Sequence, residues 1–165
     1  MERTVVLGLN GFQNFVFWCI MGKVLISKKA LRRLNEHAKA SLPEECVGIF
    51  ECMYANRKWE VTDIYECKNI AEDKRYGAML SKKDFKFFNN RRKKLEKHNI
   101  FYGVYHSHPI TGSLDLSEQD RYSAKFYNLF KLQIVLGVKN RRSIKCMFWK
   151  KNAKSWRKSD LIKIA

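Results

Sequence analysis

YHSHPITGSLDLSEQD, residues 105–120, holds two of the chain's four histidines, one of its two prolines and three acids. Side chains at i and i+2 of a strand share a face, so His106 and His108 project together while Ser107 points away. Pro109 ends the strand at once, which leaves the pair at a sheet end beside a loop. Ser117 followed by Asp120 then reads as a capping box that starts a helix. One short segment therefore specifies strand, loop and helix in turn, and it carries two imidazoles in the geometry by which a strand presents a divalent metal.

Reading outward from this segment gives the rest of the order. KVLIS (23–27) is a short apolar strand, and Ser27 caps SKKALRRLNEHAKASL, a helix with Leu31, Leu34, His37 and Ala38 on one face that Pro43 stops. ECVGIFECMYA and KWEVTDIYEC, on either side of an Asn56-Arg57 turn, read as an antiparallel pair. Residues 68–81 are irregular. Ser81 caps a second helix, SKKDFKFFNNRRKKLEKHN, whose Phe85, Phe88, Arg92 and Leu95 trace one face. IFYGVYHSHP is the histidine strand, SEQDRYSAKFYNLF (117–130) the third helix, and LQIVLGVK with SIKCMFWK a last strand pair around Asn140-Arg141-Arg142. The order β-α-β-β-α-β-α-β-β predicts a single-domain α/β sandwich with a mixed sheet flanked by helices.

Composition bounds the function. At 165 residues, with 45% hydrophobic residues and 11 Phe, the chain suits one domain with a full core. The domain is expected over residues 21–165, with residues 1–20 an apolar N-terminal extension. That extension, interrupted by Asn10, Gln13 and Asn14, is too broken for a membrane span, so no membrane partner is expected. Thirty-three Lys plus Arg against 16 Asp plus Glu, a formal charge of +17, favour an acidic partner. Five cysteines without a CxxC pair fit reduced thiols and a cytoplasmic location, and they leave any metal to His and carboxylate.

A catalytic metal of this kind usually takes three protein ligands. Asp120 is the leading third donor, with Asp115 its rival. Metal-activated water also needs a general base from another part of the fold, and Glu45 stands out of pattern at the entry of the apolar strand 43-PEECVGIF-50.

Taken together, Glu45-x-x-Gly48, His106-x-His108-Pro109 and Ser117-x-x-Asp120 resemble the motif set of the JAMM (MPN-plus) zinc metalloproteases, a family that includes isopeptidases acting on ubiquitin-like conjugates. The likeness extends through NIAEDKRYGAML (69–80) and covers about residues 23–138. It implies a curved sheet of the cytidine-deaminase-like JAMM/MPN fold. It also implies Zn²⁺ held by His106, His108 and Asp120, with Glu45 moving the proton of the activated water and Ser117 donating to the oxyanion. The implied activity is zinc-dependent (iso)peptidase hydrolysis of an amide bond in a ubiquitin-like or small sulfur-carrier-type protein conjugate, an acidic protein substrate. One departure is the loop ITGSLDL (110–116), one residue longer than the family's usual spacing. Two other readings stand beside this one. The first is a catalytically silent scaffold of the same fold. The second is a basic nucleic-acid-associated protein, RadC-like in its H-x-H-P motif, suggested by the interleaved aromatics and cations of 145-KCMFWKKNAKSWRK-158.

Overall fold

The computed structural model describes residues 24–140, 143–153 and 155–164. The expected extension at residues 1–20 and most of the turn at 140–142 lie outside the described residues. The elements are β1 (Val24–Ser27), α1 (Lys28–Ser41), β2 (Val47–Ala55), β3 (Lys58–Cys67), α2 (Lys82–Leu95), β4 (Ile100–His108), α3 (Glu118–Phe126), β5 (Leu132–Asn140), β6 (Ser143–Lys151) and β7 (Trp156–Ile164).

Local chemistry explains most of the boundaries. Ser27, Ser81 and Ser117 are all in extended backbone, and each hydroxyl accepts a backbone N–H of the first helical turn. The β2–β3 hairpin turns through Asn56 and Arg57, both left-handed at φ 49° and 63°, as a two-residue turn compatible with strand twist requires.

The strands run in the order β1-β3-β2-β4-β5-β6-β7, and the sheet closes because β1 pairs in parallel with both β3 and β7. This corrects the expected sandwich: the sheet is mixed and curved, but it is a closed barrel. The reason is β7, which the sequence reading did not contain. WRKSDLIKI alternates charge with modest apolar content, and only Ser159 is buried, so its hydrophobic signal is weak even though it completes the ring. A smaller correction concerns α3, which ends at Phe126 rather than near Phe130. Tyr127 is extended at φ −125°, ψ 119°, and a separate 3-10 turn covers Asn128–Lys131.

Alternate residues of β2 and β4 serve opposite faces, as a pleated strand requires. On one face, Phe50, Tyr105, Ile134 and Phe148 join Ala30, Leu34 and Ala38 of α1 in the principal core. On the other, Val47, Ile49, Tyr102 and Val104 pack beneath Phe85, Phe88 and Leu95 of α2. His106 and His108 continue this second face beyond the end of α2's cover.

Gly48 stands opposite Tyr105 in the β2–β4 register. A Cβ on Gly48 would lie 2.4 Å from the Tyr105 ring, and the Tyr105 hydroxyl bonds His37 Nδ1 at 2.8 Å. The glycine thus makes room for a buried aromatic of the histidine strand itself. Gly48→Ala should displace Tyr105 and cost about 1–3 kcal/mol, the usual range for overpacking. The change would be read as a lower urea midpoint at unchanged slope.

Candidate metal centre

Three elements converge on the centre. β4 supplies His106 and His108, the first turn of α3 supplies Asp120, and the segment leading into β2 supplies Glu45. β4 and β5 are parallel neighbours joined through α3, so the start of α3 sits at the carboxyl end of β4, where α/β folds commonly place ligand sites.

Two hydrogen bonds tie β4 to the entry of β2. Cys46 N–H donates to Ser107 Oγ at 2.8 Å, and Ser107 N–H donates to Cys46 O at 3.2 Å. The residue between the two histidines therefore fixes the backbone beside Glu45. The other side of Glu45 is held by the irregular segment 68–81: Glu45 N–H donates to Lys74 O at 2.7 Å, and Asn69 Nδ2 donates to Glu45 O at 3.0 Å. Asn69 is itself buried and also donates to Gly77 O while its Oδ1 accepts from Ala71 and Met79 N–H. Neither Ser107 nor Asn69 was assigned a role from sequence. An Asn inside an otherwise irregular stretch, facing the motif strand, is a turn signal that could have marked the second of them.

His106 Nε2 lies 3.2 Å from His108 Nε2 and 3.3 Å from Asp120 Oδ2, and His108 Nε2 lies 4.0 Å from that oxygen. His108 Nδ1 faces the Ser113 carbonyl at 3.1 Å. A carbonyl only accepts, so Nδ1 carries the proton and Nε2 presents its lone pair to the cluster. Two imidazole nitrogens and a carboxylate oxygen therefore point at one spot. Ligand bonds of about 2.0–2.1 Å at tetrahedral angles put donors about 3.3 Å apart, so the two shorter separations already match those of ligands sharing one ion. Among the described residues, His106, His108 and Asp120 form the one group that can hold a metal in this way.

The electrostatics follow from burial and from this crowding. Burial alone would lower His106, but the Asp120 carboxylate outweighs it and raises the imidazole. Burial, aided by His106, lowers His108. Burial would raise the Asp120 carboxyl, yet His106 and hydrogen bonds from His106 and Ser117 hold it well below the usual carboxylate range. Glu45, 8% exposed, is pushed by burial up to about 7, with His106 opposing the shift and Asp120 adding to it.

Ser117 and Asp120 form the complete capping box. Ser117 N–H and Oγ–H both donate to Asp120 Oδ2, at 2.8 and 2.7 Å, and Asp120 N–H returns to Ser117 Oγ at 3.2 Å. Asp115, the rival ligand, is exposed and is not part of the converging group. The longer loop is accommodated before it reaches the helix. Gly112, at φ 62°, donates its N–H to His108 O, Trp149 Nε1 donates to Leu114 O, and Leu116 is buried against Val135 and Trp149.

The family profile described as prokaryotic homologs of the JAB domain, Prok-JAB, matches residues 27–150. The chain belongs to the Prok-JAB family. The resemblance drawn from the three motifs thus holds at the level of the JAB/MPN family. The Prok-JAB match includes every converging residue, whereas β7 lies beyond its end. No curated protein matches the chain. Among the solved structures similar in fold are two solution structures. The solution structure of protein DSY2949 from Desulfitobacterium hafniense is 18% identical with a TM-score of 0.63, and the alignment covers 86% of this chain and 92% of that one. A solution structure of a protein from Salinibacter ruber is 15% identical with a TM-score of 0.54, over the same shares.

Two outcomes are expected here. His106→Ala and Asp120→Ala should each weaken metal binding by more than about tenfold, while Asp115→Ala leaves it unchanged, as measured by competition with a chromogenic chelator. Asn69→Ala should destabilise the fold by about 1–3 kcal/mol for each buried backbone group it leaves without a partner. It should lower the urea midpoint yet spare metal affinity, because the ligands sit on other elements.

Proposed function

We propose that this protein is a metal-dependent (iso)peptidase that hydrolyses the amide joining a ubiquitin-like or small sulfur-carrier-type protein to its conjugate. The observation that carries the reading is the convergence of His106 Nε2, His108 Nε2 and Asp120 Oδ2 in one cleft with a buried carboxyl, Glu45, lifted to about 7. Zn²⁺ suits a two-imidazole, one-carboxylate donor set; when bound it lowers the pKa of water to about 7 and polarises a carbonyl.

The chain's own groups supply the rest. Glu45 can take a proton near neutral pH and give it up again, so it serves as base toward the attacking water and as acid toward the leaving amine. Ser117 lines the same cleft. Its hydroxyl now donates to Asp120, and turning about its Cα–Cβ bond frees the proton for the scissile carbonyl oxygen as negative charge develops there. The four cysteines among the described residues have little nucleophilic chemistry to offer: burial pushes the Cys46 and Cys146 thiols up to about 12 and Cys67 up to about 11, and Cys52 is raised well above its ordinary value. Free thiols at these four described positions support the reading of a protein that works in a reducing compartment such as the cytoplasm. None of the described helices is long and apolar enough to cross a membrane.

An extended, apolar carboxyl-terminal tail is the natural ligand for the groove beside the centre. That groove, about 450 Å³, runs along Met79, Leu80, Phe85 and Tyr127 and meets the metal cleft at Gly77, Ala78, Gln119 and Asp120. The formal charge of +17 favours an acidic protein body attached to such a tail.

Glu45→Gln preserves shape and removes the base. It should retain metal and cut the cleavage rate of a ubiquitin-like fusion by about 10²–10⁴-fold. Cleavage at the native rate would refute the mechanism, and a native protein that binds metal but cleaves no member of a fusion panel would be the silent scaffold.

A further inference from the structure

A second cleft, of about 530 Å³, opens at the opposite end of the barrel from the metal centre. Phe101 and Tyr102 line it at the start of β4, whereas the histidines end that strand. Its size falls within the range of small-molecule sites. One wall is aromatic: Trp59 packs against Tyr54 and Phe101 with ring centroids 4.9 and 5.1 Å apart. The other wall is cationic, with Arg92, Lys131, Lys150 and Lys151 against a single acid, Glu96, which is ion-paired with Arg92. Lys150 Nζ sits 4.8 Å from the centre of the Trp59 ring. Two donors in the walls are also left over. Arg92 Nε and Trp59 Nε1 are both buried without a hydrogen-bond partner, a costly arrangement for polar groups out of reach of water.

We propose that this cleft binds a nucleoside phosphate, either free or as one unit of a single strand. Its base would lie on the half-buried Tyr54 and Phe101 rings, and its phosphate among Lys131, Lys150 and Lys151. A bare inorganic anion would use the cations and leave the aromatic wall idle. An apolar ligand would engage only the aromatic wall. A nucleotide satisfies both walls, since every base has a face that stacks on aromatics and every phosphate is drawn to clustered cations. The assignment stands apart from the peptidase reading, because no residue of the metal centre lines this cleft.

The test uses two probes on the full chain: adenosine monophosphate by titration calorimetry, and a labelled ten-nucleotide oligothymidylate by fluorescence anisotropy. The cleft variant is Lys131→Glu with Lys151→Glu. The control is Lys28→Glu with Lys29→Glu, exposed positions on α1 that do not line the cleft and that change the net charge equally. The native protein should bind at least one probe, the cleft variant should lose about tenfold or more, and the control should keep its affinity within about twofold. Binding of the monophosphate assigns the cleft to free nucleotides, and binding of the strand alone assigns it to single-stranded nucleic acid. If the double variant does not fold, the exposed truncation Lys131→Ala replaces it, with a smaller loss expected. The proposal fails if neither probe binds, if the cleft variant binds as the native protein does, or if the control loses as much as the cleft variant. The last result would mean that the charge of the whole surface, rather than the cleft, attracts the probes.

Discussion

Everything at the metal centre depends on the way β2 begins against the end of β4. The register places Val47 opposite His106, and the reciprocal bonds between Cys46 and Ser107 finish the pairing one step further. A slip of one residue would turn both histidines into the principal core and send Tyr105 and Ser107 to the cleft, since the side-chain period of a strand is two. Gly48 and Gly103 help to forbid such a slip. Each admits an aromatic ring from the opposite strand, Tyr105 over Gly48 and Phe50 over Gly103, so the bulky and the empty positions interlock only in the observed register. Packing at the centre of the sheet thus decides where the chemistry at its edge is found.

A second economy lies in Asp120. The oxygen that accepts both Ser117 donors is the same Oδ2 that approaches the imidazoles. A carboxylate in the first turn of a helix is favoured by the helix dipole and by the capping bonds, so α3 adds to the effect of His106 in keeping Asp120 charged. The donor set is accordingly pre-arranged: one ligand is held by a helix cap, one by a loop carbonyl through His108 Nδ1, and one by its burial within the sheet. Ordering these side chains on binding therefore costs little entropy.

Much of this could be read in the sequence, and the reasons are local. Serines at helix starts, a proline that stops α1, a two-residue hairpin turn and the alternation of β4 are short-range signals that survive in the structure. The i, i+2 spacing of His106 and His108 required only that β4 be a strand. Asp120 could be placed because its capping role and its approach to the histidines need the same backbone. Closure of the barrel could not be read, because β7 contributes few buried side chains and β1, the partner that closes the ring, is at the other end of the chain. Asn69 escaped for a related reason: its four backbone bonds are made across a segment with no periodicity, so its function exists only once Glu45 is next to it. The cleft at the start of β4 is assembled from β2, β3, α2, β4, β5 and β6, and no spacing along the chain announces it.

The pairing of β1 with β7 also bears on how the molecule comes into being. β1 begins at residue 24 and β7 ends at residue 164, so the seam joins the two described strands farthest apart in sequence. On a ribosome the histidine strand, its β2 partner and α3 are all made before the last strand exists. Contacts between distant segments are slow to form because a long loop must be closed first. The order expected from this is that the residues of the centre come together on an open sheet and the ring is sealed last, by a polar strand that covers the exposed edges of β1 and β6. Until that happens, those edges are open to other chains, and the formal charge of +17 opposes, by mutual repulsion, the approach of a second copy to them.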